Sequence, residues 1–140
     1  MKISEKMSQI ISEPVEKTIK IGILTQFREL NGHISALEYL YKIFTNKDEE
    51  KHLSTTDLEG MYKSIKEVYL PGLVFYYNLF FNEPIDPKMQ SMSDKLNIIP
   101  RETIQEVLTE IEKANPNQSL KNFQNRAITI WNNYLQSNIG

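Results

Sequence analysis

The sequence predicts an all-α fold: a single-domain bundle of six or seven short to medium helices with a central, aromatic-rich helix. Three observations carry that expectation. Apolar residues recur at three- and four-residue steps along almost the whole chain. Alternation at period two is brief, and no hairpin turn lies between β-rich runs. Capping residues and prolines punctuate the periodic segments, as helix starts and stops require.

In chain order, Ile3, Met7, Ile10 and Ile11 form one face of a short first helix. Ser12-Glu13-Pro14 reads as an N-cap with proline near the first helical position. Val15, Ile19, Ile23, Phe27 and Leu30 then make a stripe suited to core burial. Gly22 costs up to about 1 kcal/mol against alanine inside this helix, so it is expected to mark a close packing contact. Asn31-Gly32 reads as a C-terminal stop, because both residues tolerate the left-handed conformation.

A third segment carries Ile34, Leu37, Leu40, Tyr41 and Phe44, and the charged stretch from Asn46 to Lys51 reads as a solvated loop. Thr56 with Glu59 three residues on matches a capping box. Leu58, Met61, Ile65, Val68 and Tyr69 continue to Pro71, which ends or kinks the helix by removing a donor and crowding the preceding turn. Leu73 to Phe81 is apolar on every side, the pattern of a helix surrounded by others. Glu83 to Pro87 is a break, with Asp86 capping and Pro87 opening a short helix that carries Met89, Met92 and Leu96. Pro100 opens the next helix, lined by Ile104, Val107, Leu108 and Ile111, and Asn115-Pro116-Asn117 ends it. Ser119 caps a last helix with Leu120, Phe123, Ala127, Ile130, Trp131, Tyr134 and Leu135 on its apolar side.

Composition bounds the function. The chain has 140 residues, the length of one domain, with the proline-marked 83–87 loop as the place for a subdivision. It has no cysteine, which excludes disulfides, thiolate metal sites and thiol nucleophiles. A net charge of −2 disfavours a domain-wide electrostatic grip on nucleic acid or anionic lipid. Charge is uneven, however: residues 115–140 carry two basic groups and no acidic one. The N-terminus has no continuous apolar run of the signal-peptide kind. The most apolar stretch, Leu70 to Phe81, is shorter than the roughly 20 residues a spanning helix needs. A cytoplasmic protein without a membrane role is expected.

Catalytic patterns are missing. There is no G-x-S-x-G, phosphate-binding loop or dinucleotide fingerprint. Glu49-Glu50-Lys51-His52 with Asp57 lacks metal-ligand spacing and reads as a solvated charge cluster. Glu102, Glu106 and Glu110 share one helix side opposite the apolar stripe, which makes them a wet face. No cofactor and no metal are expected. A helix-turn-helix outline ending in the helix from Thr56 is disfavoured by Asp57 and Glu59, which would repel phosphate, and by the long loop before it.

Two features stand out. Tyr69, Phe75, Tyr76, Tyr77, Phe80 and Phe81 concentrate close to half of the aromatics in a short span. They suit a core helix, but two adjacent tyrosine hydroxyls need separate partners, which an interface with a second subunit supplies. Tyr76 and Tyr77 lie about 100° apart around a helix, so at most one faces the deepest core. On the last helix, Lys121, Asn122, Asn125, Arg126, Thr129, Asn132, Asn133 and Gln136 form an acid-free, amide-rich polar face. AT-rich coding explains such residues without function, since alanine and arginine each occur only three times. Function would make the face a hydrogen-bonding surface. The expected function is therefore non-enzymatic protein–protein binding, as an adaptor, small complex subunit or regulator, with a homodimer as one form. The alternative is a nucleic-acid-associated regulator or subunit that uses the last helix.

Overall fold

In the computed structural model, residues 2–46, 52–89, 100–117 and 119–137 are described, with side chains from residue 17 onward. These residues form four helices and no strand. Helix α1 spans Lys2–Thr45. Helix α2 covers residues 55–81 in three joined parts: an α-helix Thr55–Ser64, a π-helical turn Ile65–Tyr69 and an α-helix Leu70–Phe81. Helix α3 is Arg101–Ala114 and α4 is Leu120–Gln136.

The helical class holds, but the described residues form four helices where six or seven short ones are expected, and two of the four, α1 and α2, are longer than expected. The largest correction is α1, which absorbs three expected helices. Its backbone stays helical through Ser12, Pro14, Asn31 and Gly32. Ile23, Phe27, Leu30, Ile34, Leu37, Tyr41 and Phe44 alternate at four- and three-residue steps without a break in phase. Five of them are buried, and Phe27 and Tyr41 are half-buried. Burying each such side chain contributes about 1.5–3 kcal/mol, against about 1 kcal/mol lost at a helical glycine. Burial on both sides of Asn31-Gly32 outweighs the local stop.

Pro71 produces neither an end nor a separate helix. The N–H of Leu70 donates to the carbonyl of Ile65, a five-residue step. This π-turn adds a residue just before the position where proline has no N–H to offer. Ile65, Leu73, Tyr77 and Phe80 then all reach the core. The N-cap of α2 is Ser54, whose hydroxyl accepts from the Asp57 N–H at 3.1 Å, two residues earlier than the expected Thr56. Asn82 closes α2 in the left-handed conformation, at φ 54°.

Other boundaries match the expectation. Pro100 precedes α3, Asn115 ends it, and the Ser119 hydroxyl caps α4 by accepting from the Asn122 N–H at 3.1 Å. Pro87 does not open a helix among the described residues: Asp86 accepts from the Lys88 N–H at 3.0 Å in a turn, while Met92 and Leu96 lie outside the described residues.

The aromatic-rich helix is not the centre of the packing. That place belongs to α1, which packs on α2, α3 and α4; α3 and α4 also meet where the Leu120 N–H donates to the Glu112 carboxylate at 3.1 Å. Phe27 of α1 meets Phe80 of α2 edge-on, with centroids 5.4 Å apart, and stacks on Phe123 of α4 at 4.7 Å. Trp131 is buried, but Leu135 is not. Gly22 has nothing within 4 Å of its absent Cβ among the described residues, so the close contact expected there is not found among them. No helix among the described residues is long and apolar enough to cross a membrane.

Candidate functional site

The aromatic group of α2 is divided by the helix it sits on. Tyr77 and Phe80 point into the core. The Tyr77 hydroxyl donates to Glu83 at 3.2 Å, and burial, with the Glu83 carboxylate beside it, pushes the phenol up to about 12. Phe81 is half-buried between Tyr77 and Phe123. Tyr69 and Tyr76 are half-buried and hold His33 of α1 between them. Phe75 is turned outward, on the same face as Val68 and Pro71. A contact surface on this helix therefore rests on Val68, Pro71 and Phe75, with Tyr69 and Tyr76 at its margin. Of the two adjacent tyrosines, Tyr77 takes the core position.

The polar side of α4 forms one wall of a groove of about 370 Å³, whose other wall is α1. Asn122, Asn125, Arg126 and Asn133 line it with Glu38, Tyr41 and Lys42. The Arg126 guanidinium is paired with the Glu38 carboxylate, so one of the two cations of α4 is already neutralised. Lys121, Asn132 and Gln136 are exposed outside the groove.

A second concavity, of about 460 Å³, lies where α1, the end of α3 and the start of α4 meet. Leu24, Phe27, Ile111, Leu120 and Phe123 form its floor, while Arg28, Asn31 and Ser119 are at its rim. Sequence reasoning missed it, because its lining comes from segments almost 100 positions apart and Phe27, Ile111, Leu120 and Phe123 fit ordinary core stripes. The exposed Arg28 beside Leu24 and Phe27 was the available signal.

Glu106 and Glu110 are exposed and share Lys20, at 3.6 and 3.9 Å, as a wet face would. His52 and Asp57 are exposed, whereas Glu49, Glu50 and Lys51 lie outside the described residues. No group of three or more metal-ligating side chains occurs among the described residues. Comparison with protein-family models, curated proteins and solved structures finds no match to the chain.

Proposed function

We propose that this chain is a non-enzymatic protein-binding protein, an adaptor, small complex subunit or regulator, that pairs through the outer face of α2. The observation behind this reading is the ridge of Val68, Pro71 and Phe75. Val68 is 51% exposed and Phe75 39%, on a helix whose opposite face is core. Large apolar side chains aligned at the surface mark contact sites in soluble proteins. A second copy of the chain is the economical partner, since a two-fold contact lays one ridge against its equivalent.

Sedimentation equilibrium at micromolar concentration tests this. A species of twice 16.4 kDa is expected, with Phe75→Glu giving the monomer and an unchanged helical spectrum. A wild-type chain that stays monomeric removes self-pairing. A dimer that survives both Phe75→Glu and Val68→Glu moves the interface elsewhere.

A second reading, a nucleic-acid-associated regulator or subunit, is favoured by the carboxylate-free, exposed side of α4. Lys121, Asn122, Asn125, Asn132 and Gln136 would make its contacts. Binding to a DNA duplex would then fall steeply with salt through counterion release, while an apolar protein contact would hardly respond. Neither reading requires a cofactor or a metal.

A further inference from the structure

We infer that the concavity between α1, α3 and α4 binds a small monomeric amphipathic anion: an apolar body of medium length carrying one carboxylate. The volume of about 460 Å³ falls in the range of roughly 300–1,000 Å³ that small-molecule sites occupy. The opening has a structural origin. Helices α3 and α4 each pack on α1 and meet each other where the Leu120 N–H donates to the Glu112 carboxylate at 3.1 Å, and the concavity opens between them beside α1.

The floor is apolar and preformed. Phe27 and Phe123 are stacked at 4.7 Å with an interplanar angle of 27°, and Phe27 is braced edge-on by Phe80. Leu24, Ile111 and Leu120 complete the floor, each packed on the core from one side and half-buried. An apolar ligand body would finish that burial without moving the backbone.

The rim sets the charge of the head group. Two ionisable side chains line the opening, Arg28 and Glu110. Glu110 shares the Lys20 ammonium, at 3.9 Å, with Glu106 at 3.6 Å. Arg28 is exposed and makes no ion pair among the described residues. The cation in the lining, beside the apolar floor, is therefore the Arg28 guanidinium, which suits a carboxylate through two parallel N–H donors. The Asn31 side chain is on the same rim. This site is separate from the α2 ridge, and the inference does not depend on pairing there.

The full chain is titrated with sodium octanoate and, separately, with octan-1-ol, while backbone amide resonances are followed by NMR. Saturable shifts confined to Leu24, Phe27, Arg28, Ile111, Leu120 and Phe123 and their sequence neighbours are expected for both probes, with octanoate the tighter. Arg28→Gln should weaken octanoate roughly fivefold, in keeping with one ion pair at an exposed rim, and leave octanol unchanged. Ala114→Trp, at an exposed lining position, should abolish binding of both. Shifts that do not saturate or that lie elsewhere overturn the inference. So does equal loss of both probes in Arg28→Gln, or undiminished binding in Ala114→Trp.

Discussion

The imidazole of His33 occupies the space that a side chain on Gly72 would fill. Its Nε2 lies 2.8 Å, and its Cε1 2.9 Å, from the point where a Cβ on Gly72 would sit. The ring stacks on Tyr76 with an interplanar angle of 24° and meets Tyr69 edge-on, both at centroid distances of 5.6 Å. One missing side chain thus lets α1 approach α2 just past its π-turn, and two tyrosines fix the ring that uses the gap.

Glycine substitutions should therefore divide by position. Gly22, Gly32 and Gly60 are exposed inside helices with nothing within 4 Å of a built Cβ. Alanine at each should stabilise by about 0.5–1 kcal/mol, through helix propensity and a less flexible unfolded chain. Gly72→Ala gains the same but must displace a clamped ring, and overpacking costs about 1–3 kcal/mol. Its net effect should be a loss of up to about 2 kcal/mol. Urea midpoints measure all four. In a His33→Ala background Gly72→Ala should become stabilising, and equal gains from all four substitutions in the wild-type background would show that the ring moves freely.

The same histidine makes stability depend on pH on the acid side. Burial lowers the pKa of His33 and the nearby Glu29 carboxylate partly opposes this, leaving it below 6.5. Its Nδ1 has no hydrogen-bond partner among the described residues. A folded pKa below the unfolded value gives stability that is complete above pH 6.5 and lost as pH falls through the folded value. The Cε1–H resonance of His33 should titrate below pH 6.5 in the native state and near it in denaturant. His33→Phe should remove this part of the acid loss.

On the alkaline side the sign reverses. Tyr77 is raised to about 12, and burial, with Tyr41 nearby, raises Tyr134 as well. Their neutral forms are favoured by folding, so that stability is complete below pH 10 and declines from pH 10 to 12. The Tyr77→Phe variant should lose less stability across that interval than wild type, as read from denaturant midpoints at pH 9 and 11.

Arg101 ties two helix ends together. Its guanidinium donates to the Leu79 carbonyl at 2.9 Å and to the Phe80 carbonyl, at the C-terminal end of α2. Those carbonyls carry the negative end of the helix dipole, and charged hydrogen bonds contribute about 1.5–3 kcal/mol. Arg101→Met should cost an amount in that range. Arg101→Lys should recover only part, because an ammonium cannot span two carbonyls as a fork does. Thermal melts of the two variants decide it, and a neutral Arg101→Met would mean that water serves those carbonyls equally well.

What the sequence disclosed follows the range of the interactions. Ser119, Asn115 and Pro100 act on their own neighbours, and the ends they mark are where the caps say. Trp131 lies mid-stripe and is buried, while Leu135, one turn later, is 56% exposed beside the buried Tyr134. Asn31-Gly32 misled because the stop is local, whereas the burial that overrides it needs three other helices. The Tyr134 hydroxyl bond to the Leu37 carbonyl, at 2.7 Å, and the Arg126–Glu38 pair join residues about 90 positions apart, beyond any local pattern. The polar face of α4 was legible from its spacing, but the α1 wall that makes it a groove was not.

Asn78 offers the sharpest test of the core. It is 2% exposed on α2, and neither amide atom meets a hydrogen-bond partner among the described residues. Burying an amide uncompensated costs about 1–3 kcal/mol on the scale set by protein variants. Leucine is close in volume, carries no polar atom and is the better helix former. Asn78→Leu should therefore raise stability by about 1–3 kcal/mol, visible as a higher Tm and a higher urea midpoint with unchanged slope. Asn78→Asp should act in the opposite direction, since a carboxylate there must either lose its hydration or take up a proton. A destabilised Asn78→Leu together with a tolerated Asn78→Asp would show that solvent reaches the amide, and that this part of α2 is not sealed core.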